Sequence, residues 1–223
     1  MVRAVSGTII CIPAHNEANN IARMVEGCKP YGEVVVVDDG STDGTAVQAK
    51  QAGATILSNS SDAEYRDGFS RGFLYAIRQK ATYLAFIDAG FSYSPTYLAD
   101  VLAAAQHSDI VQSVRIEPRL FSRLARAMLR FLSGEHRADY ASLRGFRNPS
   151  LHLLDMCILG TSLRAHTFNP QLSLRLYGQH QHSIYHVGVR YTPTNSTLRP
   201  WGVVGAAIEF TLFYLKERIW PYR

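Results

Sequence analysis

Cysteine is scarce, and its three positions, Cys11, Cys28 and Cys157, share no paired or metal-type spacing. That pattern excludes a disulfide-stapled scaffold and a cysteine-based zinc module. Cys11 lies inside the apolar run 8–12, where a thiol behaves as a small hydrophobe, so a reduced, cytoplasmic compartment is expected. No apolar run reaches the roughly eighteen residues that a membrane-spanning helix needs. The opening MVRAVSGTII has no long apolar stretch closed by small residues, so no secretory leader is expected. Internal repeats and low-complexity tracts are also missing. Charged residues make up only 18% of the chain and the net charge is +5, which admits an anionic partner without selecting one. With 47% hydrophobic residues over 223 positions, the chain is long and apolar enough for one well-cored domain.

Strand and helix signals alternate through the first half. Strands are expected at 7–12, 33–37, 54–57, 83–87 and 109–114, and helices at 16–27, 42–52, 67–80 and 97–106. The β-branched run 33–37 has the pattern of a strand buried on both faces of a parallel sheet. An open, mostly parallel α/β sheet follows, whose ligands belong beyond the carboxyl ends of the strands. Three polar clusters fall at such ends: 13–17, 38–43 and 88–93. Beyond residue 115 the character changes. Arg115, Arg119, Arg123, Arg126 and Arg130 recur at helical spacing, with Leu120, Leu124, Met128 and Phe131 on the other side. That is a basic amphipathic helix, readable as a solvated face or as an interfacial helix on anionic lipid. A polar segment, ADYASLRGFRNPS, then leads to a helix at 151–158, a strand at 183–191 and an apolar helix at 203–216. That last helix reads as a membrane-peripheral, core or dimer element, and the oligomeric state is not legible.

In VVVVDDGSTDGT a buried strand stops at two carboxylates and turns through Gly40 and Ser41 into a helix. Carboxylates there can accept from a base N–H or from ribose hydroxyls, and a wrong base would leave a buried acceptor unpaired. Ser41 and Asp43 read equally well as caps of the following helix, as does Asn16 in IPAHNE for the first helix. Helix capping does not call for Asp38 and Asp39 together.

IPAHNE followed by VVVVDDGSTDGT resembles the family 2 glycosyltransferases, in good register over 7–115 and more loosely to about residue 200. The resemblance is to the dolichyl-phosphate and related polyprenyl-phosphate glycosyltransferases. It implies a single GT-A domain, with 1–115 holding a nucleoside-diphosphate sugar (UDP or GDP) and 116–223 facing the acceptor. It implies that Pro13, Ala14, His15 and Glu17 line the nucleoside, with Asp39 on base or ribose and Asp38 and Gly40 beside it. Asp67 and Arg71 fall where the family has further nucleotide contacts, although Arg71 also reads as a solvated charge. The family's Asp-x-Asp, which holds Mg²⁺ or Mn²⁺ on the diphosphate, is here Asp88-Ala89-Gly90, so glycine replaces the second acid. One carboxylate plus substrate phosphates can still hold a hydrated Mg²⁺, and Asp88 is expected as metal or ribose contact. On the acceptor side, Asp139 is the candidate base or otherwise an orienting group, and Arg144 and Arg147 are candidate phosphate grips. Arg190, Ser196 and Arg199 fall in a stretch similar to the loop that closes over the diphosphate.

The expected activity is therefore inverting transfer to a polyprenyl phosphate or glycan, in the cytoplasm and peripheral on a membrane's cytoplasmic face. The missing second acid leaves open a domain that binds nucleotide sugar without turnover. A signalling receiver domain is disfavoured, since the acid pair follows the second strand and the chain is too long. His180, His182 and His186 suggest zinc, but no cysteine or acid accompanies them. Nucleic acid is not an expected partner, because no aromatic stacking pattern accompanies the basic stripe.

Overall fold

A computed structural model describes residues 6–58, 68–116, 120–139, 141–158, 165–178, 182–192 and 211–215. Strands β1 (Thr8–Ala14), β2 (Glu33–Asp38), β3 (Thr55–Ser58), β4 (Tyr83–Phe86), β5 (Ile110–Arg115), β6 (Arg144–Arg147) and β7 (Ile184–Val189) form one sheet in the order β3-β2-β1-β4-β6-β5-β7. Every pairing is parallel except those of β6, which runs antiparallel to both β4 and β5.

Helices cover both faces: α1 (Ala18–Cys28), α2 (Thr45–Gln51), α3 (Gly68–Arg78), α4 (Leu98–Ala105), α5 (Leu120–Ser133), α6 (Leu151–Ile158) and α7 (Ala165–Gly178). The two-residue period of β1 divides the core. Ile10, Ile12 and Ala14 pack in a cluster with Ile21, Met24 and Val25 of α1 and Leu98, Val101 and Leu102 of α4. Ile9 and Cys11 belong to the opposite cluster, with Phe69 and Phe73 of α3 and Leu153 and Leu154 of α6. Both faces are apolar, as a crossover-covered parallel sheet requires. α3 lies so close to β1 that a Cβ on Gly72 would stand 2.1 Å from Cys11 Sγ.

Register brings the carboxyl ends to one edge. Ala14 pairs with Asp38, Asp38 with Ser58, and Arg115 with Val189. Because β6 is antiparallel, Arg144 lies opposite Phe86 near that edge, and Arg147 lies opposite Tyr83 at the other.

The expected elements appear with shifted ends, and two others are new. β6 falls in the segment read as polar loop, and α7 contains Asn169-Pro170, a pair that reads as a turn. Of the apolar helix expected at 203–216, residues 211–215 are described and are helical. α5 is helical as expected, but its arginines are not all solvated. Arg126 Nη1 donates to the Arg115 carbonyl at 2.7 Å, and Arg130 Nε donates to the Ala138 carbonyl at 3.3 Å.

Candidate active site

The loops after β1 and β2 are locked together by side chains. Asn16 takes a left-handed backbone, φ 55°, a region that asparagine tolerates better than most residues. From there its N–H donates to Ser41 Oγ at 2.9 Å and its Oδ1 accepts the Thr42 N–H at 2.9 Å. His15 Nδ1 lies 2.8 Å from the Asp39 carbonyl and its Nε2 lies 3.2 Å from Asn16 Nδ2. This pair of contacts assigns the proton to Nδ1, leaving Nε2 to accept. α1 is capped by the other loop: Glu17 N–H donates to Thr45 Oγ1 at 2.8 Å, and Ala18 N–H to Asp43 Oδ2 at 3.0 Å. Asp43 Oδ1 also accepts the Thr45 N–H at 3.1 Å. The Thr45 hydroxyl and the Ala18 N–H hold the Asp43 carboxyl below its ordinary pKa. Asp43 and Ser41 are thus structural, but they serve the neighbouring loop more than α2. Asn16 does not cap α1.

Asp38 and Asp39 have different surroundings. Asp38 is buried, and its Oδ1 accepts the Ser41 N–H at 3.3 Å. Asp39 is exposed at the mouth, its N–H on the Ala14 carbonyl at 2.9 Å. Pro13 and Ala14 form the strand end beneath them. Gly40 has φ 75°, and a Cβ there would meet nothing within 4 Å. Glycine is required for the turn and leaves open space beside the two acids. Arg71 donates to the carbonyl of Ser58 at the end of β3, which holds its guanidinium at this edge. Asp67 lies outside the described residues.

Asp88 follows β4, where the Ile87 N–H continues the pairing onto the Cys11 carbonyl at 3.1 Å. Its Oδ2 accepts the Ser142 hydroxyl at 2.5 Å. Burial raises the Asp88 pKa; the Ser142 bond and the Arg144 charge oppose that shift, and Glu17 adds to it. Glu17 and Asp88 both follow carboxyl ends of neighbouring strands, β1 and β4. Ala89 is buried and Gly90 partly so. Phe91 is left-handed at φ 58°, with the Arg23 guanidinium 4.2 Å above its ring. Gly90 offers no donor, and among the described residues no three His, Cys, Asp or Glu side chains gather as metal ligands. The donor set fits a divalent cation only as one carboxylate, Asp88, with substrate phosphate and water supplying the rest.

The acceptor-side expectations are redistributed. Asp139 is fully buried, and both of its oxygens are engaged. Oδ2 accepts the Arg115 N–H at 2.9 Å and Arg126 Nη1 at 3.3 Å, while Oδ1 accepts Arg115 Nε at 3.2 Å and Nη2 at 3.0 Å. Taking a proton would mean breaking that pairing inside the protein, so the geometry is that of an orienting group. Arg144 is no phosphate grip. It is 1% exposed on the α7 side of the sheet, bonded to Gln112 Oε1 at 2.6 Å, Asn169 Oδ1 at 2.5 Å and Ser173 Oγ at 2.8 Å. Burial among these neutral partners pulls its pKa down to about 10. Arg147 is excluded by direction, since it stands at the far edge and donates to the Gln106 carbonyl at 3.3 Å. Arg190 sits at the correct edge, its N–H on the Tyr97 hydroxyl at 3.0 Å. Arg119, Ser196, Arg199 and His180 lie outside the described residues. His186 is stacked on Tyr177, with ring centroids 5.7 Å apart.

Arg115, Arg126, Ser142 and Tyr93 were not singled out as site residues by the sequence. Arg115 ends β5 as Asp88 follows β4, so the strand-end rule that found Asp88 would have found it too. Its guanidinium lies 5.6 Å from the Tyr191 ring centre, and its charge acts on both Asp88 and Tyr93. Burial pushes the Tyr93 hydroxyl well above its ordinary pKa.

The sequence pattern of the family described as "Glycosyl transferase family 2" matches residues 9–164. Polyprenol monophosphomannose synthase of Mycolicibacterium smegmatis is 28% identical over 178 residues, spanning 70% of this chain and 67% of that protein. Two solved structures superpose at TM-score 0.70. One is a mycobacterial protein, 16% identical, with 97% of this chain and 74% of that one covered. The other is glucosyl-3-phosphoglycerate synthase of Mycobacterium tuberculosis with Mn²⁺, UDP and glucosyl-3-phosphoglycerate, 18% identical, covering 97% and 80%. The same synthase is also known with Mg²⁺ and UDP. The fold is GT-A, as expected. The chain belongs to glycosyl transferase family 2 and is a glycosyltransferase.

Proposed function

We propose that this family 2 glycosyltransferase moves a sugar, with inversion, from a UDP- or GDP-sugar to the phosphate of a polyprenyl phosphate. The observation that carries the acceptor assignment is the engagement of Asp139 by Arg115 and Arg126. A hydroxyl nucleophile needs a general base near the anomeric carbon, and the carboxylate that the family resemblance offers for that role, Asp139, is spent on two guanidinium groups. A phosphate monoester arrives already ionised and needs no base. One relative, named for a polyprenol monophosphate product, supports a phosphate as the acceptor group.

In this reading Pro13, Ala14, His15, Glu17 and Gly40 shape the nucleoside pocket, and Asp38 and Asp39 offer carboxylates to base and ribose. Arg71 borders the same pocket, Asp67 keeps the nucleotide contact that the family resemblance implies, and Ala89 and Gly90 form the floor under the sugar. Asp88 would hold Mg²⁺ or Mn²⁺, which when bound offsets charge on the diphosphate. Arg115 and Arg126 present positive charge where the acceptor phosphate enters, with Asp139 fixing Arg115. Arg190 stands at the carboxyl edge on the C-terminal side, and Ser196 and Arg199 keep the diphosphate contacts that the family resemblance implies. An acceptor phosphate oxygen forms the new C–O bond at the anomeric carbon while the bond to the nucleoside diphosphate breaks on the opposite face. No proton has to leave the acceptor.

The test pairs a panel of UDP- and GDP-sugars with three acceptors: a polyprenyl phosphate, the matching free prenol and phosphoglycerate. Each is run with Mn²⁺, with Mg²⁺ and with chelator. The expected product is an acid-labile prenyl phosphosugar formed from the first acceptor only. Transfer to the free prenol, or to the hydroxyl of phosphoglycerate, would refute the acceptor argument.

A further inference from the structure

We propose that Phe91 and Arg23 are positioning residues for the Asp88 carboxylate: a left-handed turn at Phe91, clamped by Arg23, holds the segment carrying Asp88 in its cation-binding form. Their role rests on the reading of Asp88 as the contact to a divalent cation. Four described residues other than glycine have a left-handed backbone, and three of them have a local reason for it. Asn16 and Asn148 belong to the residue type that tolerates this region best. Lys80 closes the C-terminus of α3, its N–H donating to the Ile77 carbonyl at 3.0 Å. Phe91 closes no helix and has no polar side chain to bond its own backbone. At φ 58° a bulky aromatic residue is strained, and its surroundings must hold it there.

The holding contacts come from α1. The Arg23 guanidinium lies 4.2 Å over the ring centre, and the ring packs on the core cluster that α1 shares with α4 and β1. One turn further on, Gly27 makes room for Pro95, since a Cβ there would stand 2.8 Å from Pro95 Cγ. Residues 23 and 27 share one face of the helix, and that face meets the segment after β4 at both Phe91 and Pro95. Between these points the Ser92 carbonyl accepts the Thr192 N–H at 2.9 Å, and the Tyr93 ring lies 5.7 Å from that of Tyr191. The start of α1 is bonded to Asp43 and Thr45. One helix thus gauges the Asp88 segment against the loops proposed to hold the nucleoside. Gly90 explains why such a device is needed. Two carboxylates can keep a cation over a range of loop conformers, whereas a single carboxylate binds only as well as its aimed conformer is populated. Strain at Phe91 lowers that population, and the Arg23 contact restores it.

The experiment is calorimetry of UDP and GDP binding to the full chain, with Mn²⁺ and with chelator, for the wild type and for single variants. Arg23→Met keeps the apolar stem and removes the cation. It is expected to weaken Mn²⁺-supported affinity about two- to fivefold, the worth of an exposed cation–π contact, and to leave affinity in chelator unchanged. Phe91→Ala loses the ring but keeps a residue that resists the left-handed region, and is expected to lose about tenfold. Phe91→Gly adopts that region at no steric cost, so it should keep more Mn²⁺-supported affinity than Phe91→Ala. A ring that served only to fill the core would give the opposite order, because glycine fills less and adds chain freedom. Arg23 is exposed, so Arg23→Met carries the test on a folded chain if a Phe91 variant unfolds. Metal dependence in the wild type with an unaltered Arg23→Met, or a Phe91→Gly no better than Phe91→Ala, would overturn the proposal alone. An equal loss in chelator would overturn it too, because Arg23 would then be a direct phosphate contact. A wild type that binds nucleotide equally with Mn²⁺ and with chelator would refute the Asp88 reading itself, and the proposal with it.

Discussion

Substituting Asp139→Asn separates an orienting carboxylate from a catalytic base. The carboxylate is fully buried, and its partners Arg115 and Arg126 have side chains only 8% and 12% exposed. Asparagine keeps the shape and one acceptor oxygen, so the Arg115 N–H can stay bonded. It removes the negative charge between two guanidinium groups and places an amide donor against one of them. Breaking a buried ion pair by removing one partner costs about 3–5 kcal/mol. The oxygen that remains returns part of that, which points to a loss of about 3 kcal/mol. For a chain of this size that corresponds to a melting point lower by roughly 6–12 °C. Thermal unfolding monitored by circular dichroism reads it directly. In the cycle with Arg126→Met, the two substitutions should be strongly non-additive, because the second removes one of the charges stranded by the first. Turnover should fall through a misplaced Arg115, with the shape of the pH–rate profile retained. An Asp139→Asn protein that keeps its melting point while its acid limb of activity vanishes would show a base, and the orienting assignment would be wrong.

Gly90→Asp should restore a second carboxylate two residues after Asp88; Gly90 has no left-handed backbone to forbid a side chain. Mn²⁺-supported UDP or GDP binding is expected to tighten about tenfold, a gain of about 1.4 kcal/mol, and unchanged calorimetric affinity would mean that position 90 faces away from the diphosphate. Asp43 has a folded pKa below the ordinary 3.8, so the unfolded state takes up its proton first as pH falls. Its contribution is present above that ordinary value and is lost as pH drops through the folded one; Asp43→Asn should flatten this acid limb in urea titrations run at stepped pH. Gly72→Ala drives a Cβ to within 2.1 Å of Cys11 Sγ and should cost about 1–3 kcal/mol of overpacking. Adding Cys11→Ala should recover part of that loss in the same denaturant titration.

The first half of the fold was legible because its signals are local. The run at β2 needs only its own residues to read as a buried strand, and Gly53 marks the end of α2 without outside help. β6 was missed for the converse reason. RGFR has one large hydrophobe, and its Arg144 is tolerated in the interior only through Gln112, Asn169 and Ser173, which lie 25 to 32 residues away in sequence. α7 was hidden by Asn169-Pro170, whose turn chemistry is overridden by helix packing against α5 and α6. In the site, the strand-end rule located Asp38, Asp39 and Asp88 correctly at one edge. It did not determine which acceptor-side charges point there. Arg144 and Arg147 differ from Arg115 by strand direction and side-chain facing, and one antiparallel strand reverses that outcome.

The interlock of the loops after β1 and β2 has a consequence for how the protein opens. Residues 15–18 and 39–45 satisfy one another's backbone groups across separations of 24 to 28 residues. Neither loop can fray alone without stranding donors of the other, so the two loops, proposed above to hold the nucleoside, open with the β1–β2 edge as one cooperative unit. A nucleotide held there would slow hydrogen exchange well beyond the amides it touches, throughout the paired strands. The exchange pattern would then record occupancy of the pocket in the most protected part of the sheet.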